Sequence, residues 1–136
     1  MASGLMNIVG ILLAAVAANI IGFLWYGKLF GKQWISLMGF SDKDIKKAKS
    51  KGMRQTYFVN FIATVLMALV LHYFLIATPL SSIFDNVRIA ILLWLGFCVT
   101  ILLGSVLWEG KSVKLYLINV FYWFVSLIVM ALILAL

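Results

Sequence analysis

The stretch Gly22-Phe23-Leu24-Trp25-Tyr26-Gly27-Lys28-Leu29-Phe30-Gly31-Lys32-Gln33-Trp34 joins an uncharged apolar run to the first charge of the chain, Lys28. No residue before Lys28 carries a charged side chain, whereas eight of the eleven Lys and Arg residues lie between Lys28 and Arg54. An apolar run that ends in aromatic residues and then in cations reads as a helix leaving a membrane. Trp and Tyr prefer the headgroup boundary, and lysines beyond it remain in water.

Working outward, 65% of the 136 residues are hydrophobic, far more than a soluble domain of this size encloses. Charged residues leave four long gaps, at 1–27, 55–84, 89–108 and 115–136. At about 1.5 Å per residue each gap holds a helix of roughly 30 Å, the thickness of a bilayer's hydrocarbon core. Strand alternation is absent from these runs, which disfavours a barrel. The expected spans are 5–26, 57–77, 89–108 and 115–136, one membrane domain with a loop at 28–56. Ala15-Val16-Ala17 resembles a signal-peptide cleavage site, yet no cation precedes the run and the run continues to Tyr26, so a retained helix is expected.

Loop charges orient such a chain, because short loops rich in Lys and Arg stay in the cytoplasm. Eight basic residues lie between the first and second spans and two, Lys111 and Lys114, between the third and fourth, against Arg88 alone on the other side. Both termini are expected outside the cytoplasm of a cell (inner) membrane. The net charge of +7 is concentrated in one juxtamembrane loop, so its expected partner is anionic lipid, not nucleic acid.

The loop divides in two. Trp34, Leu37 and Met38 form a short apolar stripe at helical spacing, suited to the headgroup boundary. From Ser41, with Asp44 three residues on, to Lys51 and Gly52, the pattern predicts a short basic amphipathic helix with a capping box at its start and a glycine at its end. The second hairpin carries the turn residues Pro79, Ser81, Ser82, Asp85 and Asn86, and Glu109-Gly110-Lys111-Ser112 supplies the last turn. The fold class is therefore all-α integral membrane, an antiparallel four-transmembrane-helix bundle with a short basic cytoplasmic helix between helices one and two.

Helices in lipid associate through small residues and through polar residues that need partners. Gly10, Ala14, Ala18 and Gly22 recur every four positions, as do Asn60, Thr64, Ala68 and His72, and Gly96, Thr100 and Gly104. Packing explains these stripes most simply. By depth, Asn19, Asn60 and Asn119 lie one to two turns from the cytoplasmic boundary, with Trp25, Tyr26, Ser105 and Glu109 near it. Asn19, Trp25, Tyr26, Asn60, Glu109 and Asn119 together define a candidate polar pocket open to the cytoplasm. Asn7 and His72 lie at similar depths near the opposite face.

Several chemistries find no residues here. No acid or base lies near the bilayer midplane, where ionisable groups mark ion and proton pathways. Small multidrug exporters also have four helices but are organised around an intramembrane carboxylate that this chain lacks. The single cysteine, Cys98, and the single histidine, His72, form neither a redox pair nor a metal cluster, so no cofactor or metal is expected. His72 also cannot reach Glu109 across the membrane to build a catalytic constellation.

Gly22-x-x-Trp25-Tyr26-Gly27-x-x-Phe30-Gly31-x-x-Trp34, followed by Met38-Gly39-Phe40, resembles the signature of the domain-of-unknown-function family 1761, small prokaryotic membrane proteins with four helices. The likeness extends to Trp94-Leu95-Gly96-Phe97 and to Ile118-Asn119 with Tyr122. It implies a multi-pass membrane topology and carries no activity over to any residue here. Physically, Gly27 and Gly31 are expected to let the chain turn at the headgroups, with Trp25, Tyr26, Phe30 and Trp34 as the interfacial anchor. The leading functional expectation is a non-enzymatic structural or accessory bundle that self-associates. An uncoupled transporter or channel for a small neutral or lipid-like solute is the alternative. A lipid-modifying enzyme would have only Glu109 as an acid.

Overall fold

The computed structural model describes residues 4–79 and 82–136. Among them the chain is helical throughout, without strands: α1 (Gly4–Phe23), α2 (Gly31–Met38), α3 (Asp42–Lys51), α4 (Arg54–Ala77), α5 (Ile83–Leu93), the short α6 (Thr100–Leu102) and α7 (Gly104–Leu107), and α8 (Val113–Leu134). Two π-helical segments, Leu24–Leu29 and Trp94–Val99, extend α1 and join α5 to α6. Four stretches, Asn7–Leu29, Arg54–Ala77, Ile83–Leu107 and Val113–Leu134, are long and apolar enough to cross a membrane.

The helix ends follow local hydrogen bonding more closely than charge. The second span starts at Arg54, before the expected position 57, and the third starts at Ile83, before 89. Charge gaps delimit the apolar run, whereas a helix begins where its first N–H groups find acceptors. Ser82 starts the third span, its backbone N–H donating to Asp85 Oδ2 at 3.3 Å. Asp85 and Asn86 therefore belong to the first turn of α5 and not to a loop, while Ser81 lies outside the described residues. In the last turn Gly110 has φ 70°, a left-handed conformation suited to glycine, and Ser112 Oγ accepts from the Leu115 N–H at 3.1 Å to cap α8.

The loop between the first two spans follows its sequence. Ser41 and Asp44 form a reciprocal capping box, with Ser41 N–H donating to Asp44 Oδ2 at 2.9 Å and Asp44 N–H to Ser41 Oγ at 3.1 Å. Gly52, at φ 80°, ends α3. The bend at the opening motif, by contrast, is displaced. The first span continues through Gly27 and Lys28 in its π-helical segment, closed by a Phe30 N–H to Trp25 C=O bond of 2.8 Å, and the chain breaks at Phe30. Gly27 makes no turn. Gly31 is the glycine required there: a Cβ on it would stand 3.0 Å from the Tyr26 carbonyl oxygen.

Across the molecule the spans lie in the order α4, α1, α8, α5, so α8 is the axis on which α1 and the third span both pack. Only 6% of the most apolar part of the third span is buried, against 39% for α8, which makes the third span the peripheral one. Sequence number falls along α8 as it rises along α1. Gly10 lies against Leu134, Ala18 bonds Tyr122, and Trp25 bonds Ile118.

The bundle has two zones. Where α1 begins and α8 ends, the core is apolar and dense: Ile11, Ala14, Ala18, Ala68, Leu71, Leu75, Ala90, Leu127, Met130 and Ala131 form one buried cluster. Ala14, Ala18 and Ala68 have no exposed surface and Thr64 is buried, so the middles of the α1 and α4 stripes pack inside the chain, while Asn60 stays exposed. Gly96 and Thr100 of the third stripe remain exposed. The other zone, toward the loop carrying α2 and α3, is held by aromatic and polar side chains.

Candidate functional site

In hydrocarbon a Trp or Tyr donor must find an acceptor within the protein. The loop-side zone meets that requirement. Trp25, in the first π-helical segment, donates its indole N–H to the Ile118 carbonyl of α8 at 2.9 Å. Trp94, in the second, donates to the Val120 carbonyl, two residues further along α8, at 2.7 Å. Each carbonyl keeps a second lone pair after accepting its own helical N–H, so these bonds add to α8 without unwinding it. Three hydroxyls complete the lacing: Tyr26 to Asn119 Oδ1 at 2.7 Å, Tyr122 to the Ala18 carbonyl at 3.0 Å, and Tyr116 to the Val99 carbonyl at 2.7 Å. In a membrane each such bond contributes on the order of 0.6 to 2 kcal/mol.

The rings pack as well as bond. Tyr26 meets Tyr122 edge-on at 5.3 Å and Trp34 at 5.6 Å, and Trp34 meets Phe40 at 5.5 Å, a continuous path from the loop into the bundle. Trp25 packs on Phe30 at 4.9 Å and Trp94 on Phe124 at 4.7 Å. Trp25, Tyr26, Phe30 and Trp34 thus brace the turn into α2 from both sides.

The six residues of the expected pocket fall into two groups and an outlier. Asn60 Nδ2 donates to Asn19 Oδ1 at 3.0 Å, and Asn19 Nδ2 donates back along α1 to the Ala15 carbonyl at 2.8 Å, tying α4 to α1. Trp25, Tyr26 and Asn119 tie the first span to α8. Glu109 stands exposed in the turn before α8, with no bond to either group. Ser105 donates to the Leu102 carbonyl at 2.8 Å, within its own span. Among the described residues, Asn7 and His72 make no hydrogen bond with each other.

Trp94, Tyr116 and Tyr122 carry cross-helix bonds that spacing alone did not assign. The signal available was a ring with a polar tip placed well inside an apolar run, since such a donor cannot be left to lipid. A second feature was likewise missed. An open groove of about 1110 Å³ runs along the start of α4, lined by Lys51, Gly52, Arg54, Gln55, Thr56, Val59, Asn60 and Ala63. Its residues come from one corner of the chain, the end of α3 and the first turns of α4.

No curated protein and no solved structure matches the chain in comparisons with known proteins. A family model described as "Protein of unknown function (DUF1761)" matches residues 9–135, a range that takes in the aromatic motif, the lacing to α8 and the groove. By that match, the chain belongs to the DUF1761 family of proteins of unknown function.

Proposed function

We propose that this protein is a non-enzymatic structural or accessory bundle of the cell membrane, crossing it four times as an antiparallel bundle and assembling with further copies of itself. The observation that carries this reading is the use made of the polar side chains. Asn19, Asn60, Tyr26, Asn119, Trp25 and Trp94 all hold helices to one another. Chemistry or solute passage needs polar groups turned toward a substrate, and here these side chains are engaged in cross-helix bonds. The transport alternative is left with Glu109, which stands apart from the other five, and with the Asn60 N–H that Asn19 does not take.

Orientation follows from charge. The loop with α2 and α3 faces the cytoplasm, where its eight cations meet anionic headgroups, and both termini face the other side. Self-association uses the peripheral third span. With the alanines of the α1 and α4 stripes buried internally, Gly96 and Thr100 are the residues of the third stripe left exposed, and nothing lies within 4 Å of a Cβ added at Gly96.

The mass of the protein in mild detergent, together with cross-linking in membranes, tests the assembly. An oligomer that Gly96→Leu converts to a monomer is the expected result; a monomeric wild-type chain overturns this part of the reading. For orientation, Ser50→Cys in a Cys98→Ala background should be labelled by an impermeant thiol reagent only from the cytoplasmic side. If replacing Asn19, Asn60, Glu109 and Asn119 by apolar residues abolished a solute flux in vesicles, transport would displace the structural role.

A further inference from the structure

We infer that the groove at the start of α4 is a binding site for one anionic glycerophospholipid, with the phosphate at Lys51 and Arg54 and an acyl chain laid along Val59 and Ala63. The inference rests on the membrane and orientation reading above and gives it a defined ligand site.

The order of chemistry along the groove matches the order within such a lipid. Lys51 and Arg54 line the groove where α3 ends and α4 begins, which is taken as its mouth; the ion pair found among the described residues joins Arg88 to Asp85, beyond the far end of α4, and leaves both mouth cations to a ligand. Next come Thr56 and Asn60. Asn60 uses one N–H on Asn19, and an amide nitrogen carries two, so its second N–H and the Thr56 hydroxyl are donors for the ester carbonyls, which can only accept. Val59 and Ala63 then supply apolar wall, the small Ala63 leaving room for a chain.

Depth agrees with chemistry. From Arg54 to Asn60 the helix rises about 9 Å, against a headgroup layer of about 5–8 Å per leaflet, so cations lie at phosphate level and the amide at the esters. A zwitterionic lipid offers the same esters and chains but brings its own cation to two others. A second copy of this chain docked symmetrically in the groove would face these cations with the same pair. The anionic lipid is the occupant that complements all three levels.

Native mass spectrometry of the full chain in mild detergent, after exposure to phosphatidylglycerol or phosphatidylcholine, tests the site. Wild type should retain one phosphatidylglycerol per chain and no phosphatidylcholine. Joint Lys51→Gln and Arg54→Gln should lower retention about 25-fold, at about fivefold per cation. Ala63→Phe should lower it with every charge intact, while joint Lys43→Gln and Lys47→Gln, which removes equal charge from α3 outside the groove, should leave it unchanged. Equal loss in both charge variants would mean diffuse attraction to the loop, leaving the orientation reading standing but overturning the site. Retention unaffected by the mouth and wall variants, or displacement of the lipid by inorganic phosphate, would overturn it too. So would an Ala63→Phe that abolished a dimer without altering lipid retention.

Discussion

Trp25 and Trp94 occupy equivalent places on opposite sides of α8, each in a π-helical segment and each donating its indole N–H to a backbone carbonyl of that helix, at Ile118 and Val120. A π-helical turn inserts a residue into an α-helix and rotates the residues beyond it, and such turns recur at sites where a side chain must be aimed. Here both aim a large ring with one polar tip at the axis of the bundle. The third span attaches to α8 through α5, where Asn86 and Ala90 are buried, and further along through this contact and the Tyr116 bond to Val99.

Trp25→Phe and Trp94→Phe should each lower stability by about 0.6 to 2 kcal/mol, because the indole bond is lost while most of the ring packing remains. Thermal unfolding in mild detergent measures it. Unchanged melting in both variants would show that the indole bonds contribute nothing net.

Gly22 and Gly27 should answer differently to the same substitution. A Cβ on Gly22 would stand 3.2 Å from the Tyr122 hydroxyl, which the Ala18 carbonyl holds in place, so Gly22→Ala must shift that ring by a few tenths of an ångström against its own hydrogen bond and should cost about 1 kcal/mol. At Gly27 nothing lies within 4 Å, and Gly27→Ala should be neutral or slightly stabilising. Equal melting shifts for the two variants would contradict the packing of α1 on α8.

Asp44 gives α3 a pH dependence. The Ser41 backbone N–H, and secondarily the Ser41 hydroxyl, hold the Asp44 carboxyl below the usual carboxylate range. A folded-state value below the unfolded one stabilises α3 above the ordinary Asp value of about 4, and that contribution is lost as pH falls through the folded value. Amide exchange in the first turn of α3, corrected for its intrinsic pH dependence, should therefore show constant protection near neutrality and lose it in acid. Asp44→Asn should be less protected at neutral pH and lack the acid transition.

Much of this was legible in the residues, and unevenly so. The span count, the basic loop and the caps of α3 depend on each residue's preference for water or lipid, or on bonds reaching three positions along the chain. Asn19, Asn60 and Asn119 were recognisable as polar groups at similar depth, but depth does not say which faces meet. Tyr26 reaches Asn119 while Asn60 turns to Asn19, and Glu109, exposed in its turn, bonds neither group.

The sequence by itself therefore determined the number of apolar spans, the charged loop and the short capped helix. Only the tertiary structure decided that α1 and α8 are partners while the successive helices α4 and α5 scarcely touch, and that two π-helical turns bring tryptophans onto one axis. The physical reason is that lipid offers no hydrophobic reward for choosing one apolar face over another, so register is left to close packing and to a few donors seeking acceptors. A single inserted residue in a helical turn, invisible in a continuous apolar run, redirects every side chain after it.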